Sequence, residues 1–239
     1  MTVPFDIVVP AAGAGTRMAV SLSSDSSGGT HPEIPKQYML LGGVAILERT
    51  LAKLFELNPR RICLVVAEQD SHWQSLPSAK RCEITQGGAS RAESVQAGLT
   101  KLQCEQNDLV LVHDSVRPLV AIDSIHKLIE AAADCDAGAI LATPVVDTLK
   151  YSEQGSQIDR SADREKYWQA QTPQAFPAGL LSEALRRAAE QALQVTDEAS
   201  AVEAMGLRPK LVTGSKHNLK ITTAEDLSYA EFLLAGQSL

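Results

Sequence analysis

Residues 5–18 read FDIVVPAAGAGTRM. An apolar run with almost no polar alternation predicts a strand buried on both faces, the signature of a parallel sheet covered by helices. The small residues that follow, with Gly13 and Gly15, predict a tight strand-to-helix loop. Its backbone can turn sharply and present N–H groups to an oxygen-rich ligand without side chains in the way. Alone, such a loop is also consistent with a plain βα turn.

Unalternated apolar runs recur at 62–67, 82–85, 109–113 and 139–143, alongside 7–10. Between them, residues 46–57, 92–102 and 124–133 place apolar side chains three and four apart, the helical period. Strands alternating with helices predict an α/β fold: one Rossmann-like, mostly parallel sheet flanked by helices, with ligands beyond the carboxyl ends of the strands. Further helices are expected over 178–191 and from Ala224, with a short strand at 210–213. TTAED (222–226) has the threonine-then-acid spacing of a helix start.

Two segments break this rhythm. Residues 20–35 are rich in serine and glycine and are expected to form a mobile loop. Residues 145–171 are polar, lack a helical face, and are expected to leave the domain as an arm.

With 239 residues, 44% apolar and 21% charged, the chain has the composition of a soluble globular domain. The net charge of −7 argues against a nucleic-acid partner. No apolar run approaches the ~20 residues that span a bilayer, and the N-terminus lacks a secretory pattern. A cytoplasmic protein without a membrane partner is expected. The four cysteines are too scattered for a zinc site or a disulfide framework.

The dinucleotide fingerprint fails, because Met18 stands where a third glycine is needed and no acid closes the second strand about twenty residues on. A Walker lysine is also absent. Arg17 instead offers a planar fork for phosphate oxygens, and Lys36, in PKQY, is a candidate phosphate contact. DLVLVHDSVRPLV (108–120) ends a strand in His113, Asp114 and Arg117. A carboxylate there can hold Mg2+ bridging phosphates, while Arg117 can take a second anion. The plainer alternative is an aspartate helix cap with an ion pair. His113 is read as packed behind the site.

With these motifs in hand, the chain resembles the 2-C-methyl-D-erythritol 4-phosphate cytidylyltransferases of the non-mevalonate isoprenoid pathway. The resemblance runs in order through PAAGAGTRM, PKQY, GGASRAESV, HDSVRPL, ATPVVDTLK, AQTPQAF, TDEASAVE and NLKITTAEDL. It implies the nucleotide-diphospho-sugar transferase type of fold with a protruding β-arm. The implied reaction is attack of a sugar-alcohol phosphate on the α-phosphorus of CTP, with Mg2+ or another divalent cation and loss of pyrophosphate. By resemblance, Arg17, Lys36 and Lys220 are the catalytic cations and Asp114 the metal ligand. Ala11, Ala12, Gly13 and Gly15 cradle CTP, and Gly88 and Ser94 read cytosine. Asp114, Arg117, Thr148, Arg164 and Thr196 belong to the acceptor site. Thr148 and Arg164 fall in the arm (about 145–171), which in the family reaches across a homodimer.

TPQAF (172–176) and TDEAS (196–200) also have plain readings as a turn and a helix cap, so Asp197 and Glu198 are taken as structural. The chain departs from the family pattern at Ser115 and Val116, at Ala89, at His217, and in the nineteen positions from Arg17 to Lys36. Two other functions fit the CTP loop: a cytidylyltransferase acting on another acceptor such as ribitol 5-phosphate, and a non-catalytic nucleotide-binding module. Retention of Thr148, Arg164 and Thr196 favours the methylerythritol acceptor over the first. Retention of Asp114 and all three cations favours an enzyme over the second.

Overall fold

A computed structural model describes residues 3–13 and 34–236 of the chain. Gly15, Arg17 and most of the serine-rich loop lie outside the described residues.

Strand β1 (Phe5–Pro10) lies inside a seven-stranded sheet with β4 (Arg61–Val66), β5 (Glu83–Gln86), β6 (Leu109–Val112), β7 (Ala139–Pro144), β10 (Trp168–Pro177) and β11 (Lys210–Thr213). The spatial order is β11-β7-β10-β6-β1-β4-β5. Neighbours run parallel except β10, which is antiparallel to both β6 and β7. The short strands β2 (Leu40–Leu41) and β3 (Val44–Ala45) form a separate hairpin. The strand pair β8 (Lys150–Tyr151) and β9 (Arg160–Ser161) forms another, with exposed residues.

The unalternated composition of β1 has a direct consequence. Ile7 and Val9 enter one apolar cluster, with Leu47, Leu51 and Leu54 of helix α1 (Ile46–Phe55). Ile125 and Leu128 of α3 (Ile122–Ala133) join the same face. Val8 faces the opposite cluster, with Val95 and Leu99 of α2 (Arg91–Leu102) and Leu181 and Leu185 of α4 (Ala178–Glu190). Each fully buried side chain of this kind contributes about 1.5–3 kcal/mol of transfer free energy. Helix α2 sits unusually close to β1: a Cβ on Gly98 would stand 2.5 Å from a Val8 methyl carbon. Two further helices, α5 (Glu198–Ala204) and α6 (Ala224–Gly236), complete the α-helices among the described residues.

The expected strands and helices are present, with ends displaced by one or two residues, the usual scatter where terminal turns fray. The final helix starts as expected. Thr223 Oγ1 accepts from the Asp226 N–H, and Asp226 Oδ2 accepts from the Thr223 N–H.

The region 145–177 requires correction. Its middle is the β8–β9 hairpin, but Trp168–Gln171 already belongs to the main sheet. The TPQAF stretch, for which a turn was the plain reading, is the buried second half of β10. Polarity and Pro173 disguise the strand. Register shifts between Ala170 and Gln174, so the proline falls where the ladder is already interrupted. The buried glutamines are satisfied from outside the sheet. Gln171 Nε2 donates to the Ser215 carbonyl, and Gln174 bridges the Asp197 carboxylate and the Ala199 N–H.

Candidate functional site

The carboxyl ends of β1, β5 and β6 converge on one cleft. It is lined by Ala11, Ala12 and Gly13, by Lys36, by the loop from Gly88 to Ser90, by Arg91 and Ser94, and by Asp114 and Lys220. The Ala11 N–H donates to the Val65 carbonyl at 2.7 Å, and the Ala11 carbonyl accepts from Gln37 Nε2 at 2.9 Å. Ala11 therefore anchors the turn, and Ala12 and Gly13 supply backbone to the cleft. The same Gln37 contact ties the short helical turn carrying Lys36 to the end of β1.

The GGAS loop approaches the β1 turn closely enough to exclude side chains. A Cβ on Gly87 would lie 2.6 Å from the Ala12 Cβ, and one on Gly88 would lie 2.5 Å from the Glu93 Cβ. Ser90 caps α2, its Oγ accepting from the Glu93 N–H at 3.1 Å. The Glu93 carboxylate reaches back to the Ala89 N–H. With the helix start fixed in this way, Gly88 and Ser94 lie on the wall of the same cleft.

Asp114 is the centre of charge. Its N–H donates to Thr172 Oγ1 at 2.9 Å, so β10 fixes the backbone from which the carboxylate projects. Oδ1 accepts from Arg91 (Nη2 at 3.1 Å, Nε at 3.3 Å). Oδ2 is paired with Lys220 Nζ at 3.0 Å and with Arg117 Nε at 3.3 Å. Burial, the largest influence, would raise the Asp114 pKa. The charges of Arg91, Lys220 and Arg117 together outweigh it and hold the acid well below the usual carboxylate range. Arg91 also pairs with Glu198, which is 1% exposed. Burial raises the Glu198 pKa against the opposing pull of Arg91. Arg117 Nη1 donates to the Asn218 carbonyl at 2.6 Å, linking this cluster to the segment that carries Lys220. Three cations against two carboxylates make an anion-attracting centre in a chain of net negative charge.

His113 lies behind this centre, as expected. It is fully buried, with Nε2 against the Arg117 carbonyl and Nδ1 against Thr172 Oγ1. Burial pushes its pKa down to about 4, so the ring is neutral at pH 7.

A second cleft opens on the far side of Asp114. Arg91, Asp114 and Lys220 line it too, joined by Arg117, Thr172, Gln174 and Thr196. The two clefts thus share one charged wall. Thr196 stands at its rim because Asp197 caps α5 in a reciprocal box with Ser200. Thr148 and Arg164 do not line either cleft. They are exposed on the arm, where Arg164 Nη1 donates to the Val146 carbonyl. Gly15 and Arg17 lie outside the described residues.

Among the described residues, Asp114 is the acid that borders both clefts, and there its carboxylate could hold a hard divalent cation in exchange for part of its contact with Arg91, Arg117 and Lys220. Magnesium typically takes one or two carboxylates and completes its shell with phosphate oxygens and water. Asp6, Cys104 and Asp108 also cluster, at the opposite end of the strands. There Arg60 and Arg61 already hold the acids, at 2.9 Å and 2.8 Å from Asp6.

Two residues that line these clefts carry no role in the sequence reading: Arg91 lies unassigned inside GGASRAESV, and Thr172 reads as part of a turn. Glu198, read as structural, is buried and lines neither cleft. An arginine one residue after a helix cap is ordinary in sequence. Its significance lies in two buried carboxylates that are 23 and 107 positions away.

The chain matches the family described as 2-C-methyl-D-erythritol 4-phosphate cytidylyltransferase over residues 5–236. It is 44% identical over 235 residues to the protein of that description from Mannheimia succiniciproducens, covering 97% of this chain and 96% of the relative. Identity to the one from Tolumonas auensis is 41% over 239 residues, with 98% of each chain covered. The crystal structure of the Francisella tularensis 2-C-methyl-D-erythritol 4-phosphate cytidylyltransferase superposes with a TM-score of 0.78 at 32% identity, covering 96% of this chain and 99% of that one.

Proposed function

The chain belongs to the 2-C-methyl-D-erythritol 4-phosphate cytidylyltransferase family, and from that premise we propose how its two joined clefts divide the work. The enzyme transfers the cytidylyl group of CTP to 2-C-methyl-D-erythritol 4-phosphate in isoprenoid precursor synthesis. An oxygen of the acceptor phosphate forms a bond to the α-phosphorus of CTP. The bond to the β-phosphate oxygen breaks, and pyrophosphate leaves. No proton needs to be moved between ionised phosphates, so the protein's task is alignment and stabilisation of charge.

CTP occupies the cleft of Ala12, Gly13, Gly88 and Ser94, with Ala11 anchoring the turn; Gly15, outside the described residues, is assigned to CTP by family resemblance alone. The acceptor phosphate occupies the cleft of Arg117 and Thr196. The observation that carries this assignment is the shared wall: Arg91, Asp114 and Lys220 border both clefts, where two polyanions must meet. Lys36, Lys220 and Arg17 are the cations that balance charge at the reacting phosphate. Asp114 would hold Mg2+ or another divalent cation, which supplies charge neutralisation at the triphosphate when bound. The reading is a homodimer in which Thr148 and Arg164 of one arm complete the partner's acceptor site. Action in the cytoplasm is part of the same reading; no helix among the described residues is long and apolar enough to cross a membrane.

The test is pyrophosphate release from CTP and Mg2+ with either 2-C-methyl-D-erythritol 4-phosphate or ribitol 5-phosphate. Release with the methylerythritol compound alone is expected. Release with ribitol phosphate alone would keep the nucleotide cleft and overturn the acceptor assignment. CTP binding without release in either case would leave a nucleotide-binding module.

A further inference from the structure

Glu198 lines neither cleft and is 1% exposed, yet it is tied through a single guanidinium to the acid at the centre of both. Arg91 Nη1 binds Glu198 Oε1. Nη2 lies 3.0 Å from Glu198 Oε2 and 3.1 Å from Asp114 Oδ1, and Nε completes the contact with Asp114. We propose that Arg91, clamped by Glu198, is a positioning residue that holds the Asp114 carboxylate in register with both substrates.

Three observations carry this. The first is the division of partners at Asp114. Arg117 and Lys220 both lie on Oδ2, whereas Arg91 lies on Oδ1. Arg117 and Lys220 also face bound phosphates in the proposed reaction, so during turnover their hold on Asp114 is shared with substrate. Arg91 has its other side committed to Glu198 and can keep Oδ1 in place. The planar five-donor fork suits this, because it fixes two carboxylates relative to one rigid group.

The second observation is where the clamp begins and ends. Arg91 is the first residue of α2, directly after the Ser90 cap and beside Gly88. Glu198 is the first residue of α5, directly after the Asp197 cap and beside Thr196. The ion pair therefore joins the helix start of the nucleotide cleft to that of the acceptor cleft, and the same guanidinium carries Asp114 on its other edge. The third observation is energetic. Glu198 is buried while Arg91 keeps 29% of its side chain exposed. An ion pair that takes a carboxylate out of water is a weak route to stability, since apolar residues of similar volume often do as well or better. A need for stability does not explain the pair; a need for orientation does.

The inference rests on the proposed roles of Asp114 and the two clefts, and its test separates the two. Pyrophosphate release, KM for CTP and thermal unfolding are measured for wild type, Glu198→Gln, Arg91→Lys and the combination. If wild type is inactive with both acceptors, the functional reading fails before the clamp is tested. With an active wild type, Glu198→Gln should lower kcat per folded enzyme by about 10²-fold, the scale of an ångström-sized misplacement. KM for CTP should stay near wild type. The combined variant should be no worse than the poorer single one, because both act through the same guanidinium. A crystal structure of Glu198→Gln should show Asp114 Oδ1 turned from its wild-type position. Wild-type kcat per folded molecule in Glu198→Gln, or losses that add in the combination, would overturn the clamp and leave the pair a purely structural one.

Discussion

Asp114 shows how a single residue acquires its character from residues far away in sequence. Its backbone is held by Thr172, one oxygen by Arg91 and the other by Arg117 and Lys220. Thr172→Val keeps the shape but removes the acceptor of the buried Asp114 N–H and the partner of His113. Leaving such a group unpaired should cost about 1–3 kcal/mol. In a chain of this size that lowers Tm by roughly 2–4 °C per kcal/mol, which a thermal melt will read. Lys36 poses the complementary case, a cation judged by what it does to phosphate. Lys36→Ala should reduce kcat by about 10²–10³-fold, the scale of losing one transition-state charge contact, with Tm little changed. Wild-type turnover would remove Lys36 from the catalytic set. At this scale Asp114, Arg117 and Lys220 were legible, because a charged residue ending an apolar run, or one in a matching motif, stands out. Arg91 and Glu198 were not, because each is ordinary until the other is known to be beside it.

At the scale of elements, local chemistry explains most of the site's shape. Helices α2 and α5 both start at polar caps, and each cap presents a functional residue to a cleft. Asp197→Ala removes the α5 cap and an acceptor for Gln174 Nε2. A loss of about 0.5–2 kcal/mol is expected from the cap alone. Because Thr196 sits one residue before the cap, KM for the acceptor should rise more than KM for CTP in steady-state assays. Equal changes in both would show that α5 does not serve the acceptor cleft selectively. Caps and glycine turns were readable because they obey short-range stereochemistry. Strand β10 was not, since its polar second half follows neither period: its glutamines and threonine are buried against partners from the 113–114, 197–199 and 215–218 segments.

For the whole molecule, the open question is how the arm serves a site. Thr148 and Arg164 are exposed on their own chain, away from both clefts. This is the arrangement expected if they act on a second copy in an isologous dimer. Mixing Arg164→Ala and Asp114→Ala enzymes tests this directly, since each is expected to be inactive alone. If arms are exchanged, a mixed dimer regains one intact site, and random mixing should restore about a quarter of wild-type activity. No recovery from a mixture shown to exchange subunits would place the arm's contribution within its own chain or nowhere. By itself the sequence determined the alternation of buried strands and helices, the glycine turns, the caps and the motifs that assign the family. These depend on the order of neighbouring residues or on a pattern carried along the chain. Tertiary structure alone decided that β10 runs antiparallel through the sheet, that two clefts share one charged wall, and that Glu198 and Asp114 meet across Arg91. Those depend on which distant segments the folded sheet brings within hydrogen-bonding distance, and buried charge has meaning only once its partner is in place.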